Sequence, residues 1–135
     1  MLDASTAISW CFEEVQTPYS LAVLQQVSAG AEVHVPNIWP LEVTNALLKA
    51  LRRNHITYEE LIEYARQLGG LRVRVEPGDA DRAFGQVLAL AQRHQLTSYD
   101  ASYLDLAQRL GIPIATADGN LVQAAGAVRV PVLQA

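Results

Sequence analysis

Fourteen of the 135 residues are acidic, and what separates them is where a chain of alternating strands and helices carries each one. Four qualify for shared chemistry: Asp3, Glu42, Asp100 and Asp118. Asp3 closes an expected first strand. Glu42 falls in the first turn or two of the helix entered after the second, and Asp118 follows the fourth strand through Thr116. Asp100 arrives from the other direction, in the first turn of a helix that must run back down the sheet before the fourth strand rises. In an open parallel sheet, ligands bind beyond the carboxyl ends of the strands, and right-handed crossovers return the chain to the same rim. Four carboxylates from distant stretches of chain are therefore expected at one edge.

Like charges held close together raise one another's pKa unless something positive lies between them. Oxygen ligands without a cysteine pair or clustered histidines suit a hard, octahedral cation, so Mg²⁺ or Mn²⁺ is expected over Zn²⁺. Such an ion activates a water and stabilises the charge that develops on a phosphodiester oxygen. Phosphodiester hydrolysis is the reaction class this predicts. Ser5 and Thr116 stand where a hydroxyl can bond a carboxylate or a metal-bound water, and Asn45 lies one turn beyond Glu42 on the same helix face. Each residue also has a structural reading: Asp3 as a strand-end turn residue, Asp100 as a first-turn acid facing the helix dipole, Asp118 as an Asp-Gly turn with Gly119, and Glu42 as a first-turn acid behind Pro40. For Ser5, Asn45 and Thr116 it is ordinary capping or turn bonding.

Asp79 and Asp81 meet the same rim criterion after the third strand and are read as a helix cap and its neighbour. Asp105 lies four residues before Arg109, about 140° around the helix from Asp100, and is expected in an exposed ion pair. Lys49, Arg52 and Arg53 cluster near a helix carboxyl end. They complement the dipole there, or they grip RNA phosphates. His34, His55 and His94 show no pairing at i,i+4, and Cys11 has no second thiol; neither type is assigned chemistry.

The elements that must position these side chains follow from punctuation and periodicity. Expected strands are Met1 to Asp3, Val33 to Val35, Leu71 to Val75, Ile112 to Ala115 and Val128 to Leu133, alternating with helices as in an α/β fold. Thr17 with Pro18 starts one helix and Gly30 stops it. From Trp39 a stripe of Leu41, Leu47, Leu48 and Leu51 marks a second. Thr57 with Glu60 forms a capping box for a third, ended by Gly69 and Gly70. Asp79 opens a helix toward His94, and Thr97 or Ser98 opens one that Gly111 stops.

Composition bounds the rest. A 135-residue chain, half of it hydrophobic, fits a single domain over residues 1–135 with a sizeable core. A formal net charge of −4 argues against holding nucleic acid by bulk electrostatics, so any phosphate must be gripped locally. A lone cysteine fits a reducing compartment. Glu13 and Glu14 follow a short apolar stretch with no basic region before it, unlike a secretory leader, and no apolar run is long enough for a bilayer. A cytoplasmic protein without a membrane role is expected.

The segments DASTAISW from Asp3, PLEVTNAL from Pro40, LTSYDASYLDLA from Leu96 and IATADGNL from Ile114 together make the chain resemble a PIN domain, specifically a VapC-type toxin of bacterial toxin–antitoxin pairs. The resemblance spans nearly the whole length. It implies a three-layer α/β/α fold around a parallel five-stranded sheet in order 3-2-1-4-5, and a Mg²⁺- or Mn²⁺-dependent endoribonuclease acting on RNA. Asp3, Glu42, Asp100 and Asp118 would form its acidic quartet. A homodimer and a cognate antitoxin protein that masks the acids are also implied. Only Met1 and Leu2 precede Asp3, so the first strand is expected to be unusually short or to begin upstream. Gly119 makes the loop holding Asp118 more permissive than its neighbours.

Two rival classes fail on single residues. A receiver domain needs a lysine after the last strand, yet the only lysine is Lys49. A haloacid-dehalogenase phosphatase needs a second aspartate two residues after the first, where Ser5 stands. A catalytically inactive PIN-like module that binds RNA or protein remains compatible with the sequence.

Overall fold

A computed structural model describes all residues, 1–135. The chain runs through α1 (Ala4–Ser9), a 3₁₀ turn (Glu13–Val15), α2 (Pro18–Ser28), β1 (Val33–Pro36), α3 (Trp39–Arg52), α4 (Tyr58–Gly69) and β2 (Val73–Glu76). It continues through α5 (Ala80–Arg82), a π-helical stretch (Ala83–Val87), α6 (Leu88–His94), α7 (Ser98–Leu110) and α8 (Gly119–Ala127). The fold is mixed α/β with a parallel sheet.

Local chemistry fixes the helix ends. Thr17 accepts from Ser20 N and Thr57 from Glu60 N, each with the reciprocal bond that completes a capping box. Thr97 accepts from Asp100 N and Asp118 from Leu121 N, so two of the acids of interest lie in or at capped helix starts. Gly111 ends α7 at φ +64°, a left-handed conformation that costs glycine nothing. The expected run from Asp79 to His94 forms, with Asp79 as its cap and a π turn in its middle.

The sheet differs from the expectation of five strands. Only β1 and β2 form a ladder, pairing Val33 with Val73 through Pro36 with Glu76. The other three expected strands reduce to isolated parallel bridges, Leu2 with Ala115 and Ile114 with Val132. Each bridge is held by a pair of backbone bonds: Asp3 N donates to Ala115 O (3.0 Å) and Ala115 N to Met1 O (2.7 Å), while Ile114 N donates to Pro131 O (2.9 Å) and Leu133 N to Ile114 O (2.8 Å); Leu2 N also donates to His34 O (3.1 Å). The physical reason is length. Asp3 already stands at the N-cap of α1, so the helix begins directly after the Leu2 bridge and the ladder cannot extend on that side. Val128 caps α8 rather than opening a strand.

The core joins these pieces. Leu2, Val23, Val35, Tyr103, Leu104, Ile114 and Leu121 are its largest fully enclosed side chains. On one flank α1 packs against α2 and α3, and α3 against α4; on the other, α7 packs against β1, the 80–94 helix and α8. The buried stripe of α3 is Trp39, Val43, Leu47 and Ala50. Leu41, expected in that stripe, is 72 % exposed; the first turn is oriented by Trp39, which takes the core position two residues earlier. No helix is long and apolar enough to cross a membrane.

Candidate active site

Four separate pieces of chain contribute acids to one open cleft of about 310 Å³: Asp3 before α1, Glu42 in the first turn of α3, Asp100 in the first turn of α7 and Asp118 before α8. Ser5, Ile8, Asn45 and Lys49 line the same cleft. The helix starts are what aim them. An acid at the cap or in the first turn sits where N–H groups point outward and the dipole favours negative charge.

Asp3 is the most enclosed of the four, 6 % exposed. Its Oδ2 accepts from Ser5 Oγ (2.5 Å) and Thr116 Oγ1 (2.8 Å). The Thr116 hydroxyl in turn accepts from Asp118 N (3.1 Å), so one small side chain ties two of the acids together. Asp118 Oδ1 accepts from Leu121 N (2.8 Å). Glu42 Oε2 accepts from the hydroxyl of Tyr103 (2.6 Å), a residue with no exposed surface at all. In Asp3, Glu42 and Asp118 one carboxylate oxygen is thus tethered by the protein while the other accepts no hydrogen bond from it.

The electrostatics are those of repelling charges under partial burial. Burial pushes the Glu42 carboxyl above its ordinary value; the bond from Tyr103 opposes this, and the charges of Asp3 and Asp100 add to it. Asp100 is raised in the same way, first by burial, against the Thr97 hydroxyl and with help from Asp3 and Asp118. The acids share the cleft without forming a tight cage: no three His, Cys, Asp or Glu side chains anywhere in the chain are grouped closely enough to grip one ion. Four carboxylates, each with at least one oxygen that accepts no hydrogen bond from the protein, are nonetheless a donor set suited to a hard divalent cation, and the only positive side chain lining the cleft is Lys49.

Other sequence candidates lie elsewhere. Asp79 caps α5 by accepting from Asp81 N (2.9 Å), as expected, and lines a different cavity of about 400 Å³. Asp105 also lines that cavity, and its predicted exposure is wrong: it is 3 % exposed. Arg109 pairs with it at 3.2 Å, as the i,i+4 spacing implies, but Arg82 also forks onto both of its oxygens. The reason is that α7 is covered on several sides, so this face meets the 80–94 helix rather than water. His34 lies between Glu76 (2.7 Å) and Glu32 (3.3 Å) on the sheet, away from the acids.

Sequence reasoning missed two groups at or behind the cleft, Tyr103 and Tyr19, and did not place a third, Lys49, in it. Tyr103 is three residues after Asp100 on α7, a spacing that places it on a neighbouring flank. Lys49, offered by the sequence to the helix dipole or to RNA phosphates, is seven residues after Glu42 on α3, also a same-face spacing, and lines the cleft. The buried hydroxyl of Tyr19, with no hydrogen-bond partner, carried no sequence signal; burial raises its pKa, with Thr116 and Asp3 as its polar neighbours.

Comparison with known proteins places this arrangement in a family. The family model for the PIN domain matches residues 1–127. The chain belongs to the PIN domain family. Among its relatives is ribonuclease VapC12 of Mycobacterium tuberculosis, in strains CDC 1551 and H37Rv, 33 % identical over 126 residues covering 93 % of this chain and 92 % of the relative. Ribonuclease VapC3 of Pyrobaculum aerophilum is 29 % identical over 97 residues, 72 % of this chain and 74 % of that protein.

Proposed function

We propose that this chain is a ribonuclease toxin that hydrolyses RNA phosphodiester bonds with Mg²⁺ or Mn²⁺, and that a cognate antitoxin protein restrains it. The observation that carries this reading is the cleft itself: Asp3, Glu42, Asp100 and Asp118 arrive from four segments and line it together with no arginine among them. The family membership and the ribonuclease names of its relatives point the same way. The reading includes a cytoplasmic homodimer, and the five short segments acting as one parallel sheet in order 3-2-1-4-5 within a three-layer α/β/α fold.

The four carboxylates would hold the ion through their untethered oxygens. A divalent cation bound there supplies the activation of a water and neutralises charge developing on the phosphate. The chain's own residues do the rest. Ser5 and Thr116 fix Asp3 by donating to Oδ2, which leaves Oδ1 without a hydrogen bond from the protein. Tyr103 anchors Glu42 from inside the core, so that carboxylate cannot swing out with the solvent-facing side of α3. Thr116 keeps the backbone before α8 in register with Asp3, which holds Asp118 within the same cleft. Asn45 lies one turn along α3 from Glu42 and offers an amide to the substrate.

The test is direct. Pure protein incubated with RNA and Mg²⁺ or Mn²⁺ should cleave it, and cleavage should vanish with EDTA and with Asp100→Asn. RNA binding without cleavage would select the alternative, a catalytically inactive PIN-like binding module. Cleavage that survives both controls would refute the proposal.

A further inference from the structure

Of the ten lysines and arginines, Arg66, Arg74, Arg82 and Arg109 are paired with acids. Six make no ion pair, and three of those six, Lys49, Arg52 and Arg53, stand within five residues at the carboxyl end of α3. All three are exposed. The helix dipole favours cations at that end, but it acts along the axis and does not choose a side. A side has nonetheless been chosen. At about 100° per residue, Lys49 falls within about 20° of Glu42, and Arg53 within about 20° on the other flank. The first half of this alignment is directly visible, because Glu42, Asn45 and Lys49 line the same cleft. Arg53 continues the near-helical backbone at φ −90°, ψ 5°. With a rise of 1.5 Å per residue, Lys49 lies about 10 Å and Arg53 about 16 Å beyond Glu42. The adjoining face of the helix, Trp39, Val43, Leu47 and Ala50, centred about 90° around from Glu42, is buried.

We infer that this face of α3 is a guide rail for single-stranded RNA: the reacting phosphate lies over the acids, and phosphodiesters on one side of it are held first by Lys49 and then by Arg53. The inference rests on the ribonuclease reading and deepens it. A chain of net charge −4 has no general attraction for a polyanion, so a local line of unpaired cations leading away from the acid cleft is where that attraction must come from. The acids alone would repel an incoming backbone. Lys49, lining the cleft itself, is the point at which repulsion turns to attraction. An acidic protein segment would also meet these cations. RNA is favoured because the line begins at the side chains that act on a phosphodiester.

The experiment uses a fluorescent single-stranded RNA with Mg²⁺ and the full chain carrying Asp100→Asn, so that the strand stays intact. Lys49→Gln and Arg53→Gln are added singly and together, and anisotropy is followed across a salt series. Each substitution should lower the slope of log affinity against log salt by about 0.7 and weaken binding about fourfold at 0.15 M salt. The pair should lose roughly tenfold or more. Lys49→Arg and Arg53→Lys should retain affinity and slope, and Arg93→Gln, an unpaired cation on another helix, should change neither. Melting temperatures distinguish these losses from a weakened helix end. A double variant with unchanged slope and affinity overturns the rail while leaving the ribonuclease reading intact. So does a loss matched by Arg93→Gln, or a defect seen only toward an acidic protein. If the unmodified chain neither binds nor cleaves RNA, both readings fall.

Discussion

The molecule gathers carboxylates in two regions, fully buried in one and ranging from buried Asp3 to exposed Asp118 in the other, and treats them oppositely. Asp105, on the solvent-shielded flank of α7, is held by two arginines. Asp3, Glu42, Asp100 and Asp118, around the amino end of the same helix, share a cleft with each other and one lysine. A buried negative charge is costly unless it is paired and hydrogen-bonded. Asp105 meets that requirement within the chain and has no capacity left over. The cleft acids do not meet it: each of three keeps an oxygen to which the protein offers nothing, and burial with mutual repulsion pushes Glu42 and Asp100 above their ordinary values. Compensated charge marks architecture, and uncompensated charge marks a place prepared for something else.

The sharpest way to break the comparison is to remove the compensation. Arg82→Met with Arg109→Met leaves Asp105 buried and unpaired, and should cost about 3–5 kcal/mol in urea unfolding. Asp105→Asn should cost less, about 1–2 kcal/mol, because both arginines are more than a third exposed and can turn to water. In either case the molecules that remain folded should still cleave RNA. In the cleft the pattern inverts. Asp100→Asn should reduce cleavage on the order of 100-fold or more while leaving unfolding stability unchanged or improved.

A smaller effect sharpens the contrast. Titrating Mn²⁺ into the unmodified chain should raise its stability by about 2.7 kcal/mol at one hundred times the dissociation constant. Asp100→Asn should abolish most of that gain, whereas Asp105→Asn should keep it. The smallest is a pH effect in the absence of metal. Because the folded-state pKa values of Glu42 and Asp100 lie above their unfolded ones, the folded chain holds more protons between the two. Their contribution to stability is therefore greatest below the ordinary carboxylate range and is lost as pH rises through the raised values. Urea midpoints in EDTA should show Asp100→Asn gaining on the unmodified chain as pH rises through the ordinary carboxylate range and above it. A flat difference across that interval would mean that repulsion in the cleft is negligible.

How far the sequence carries this picture depends on the range of the interaction concerned. Helix ends were legible because their determinants are local: Thr57 with Glu60, Thr97 before Asp100 and Gly111 at φ +64° each act within a few residues. The Thr17 cap was legible too, but not that Ser20 would close its box. Gln95, in the left-handed conformation at the end of α6, gave no sign in advance. The placement of Asp3, Glu42, Asp100 and Asp118 around one rim followed from topology, which needs only the order of elements. Strand extent did not, because a parallel partner is supplied from far along the chain, and Leu2 finds room for one bridge where a ladder was expected. Asp105 shows the same limit. Arg109 is four residues away and was foreseen, whereas Arg82 is 23 residues distant and the burial of that face depends on the helix it belongs to.

Gly78 sits where the loops leaving the two laddered strands meet: a β-carbon there would stand 2.5 Å from the Asn37 side-chain nitrogen. Asn37 is also the second residue before α3, the helix that carries Glu42 and Lys49. A methyl group added at position 78 would meet only the far end of the exposed Asn37 side chain, so it would displace that amide and leave the helix, with its acid and its cation, where they are. The close packing of these two loops is thus a matter of one amide's rotamer, not of the scaffold that carries the acids.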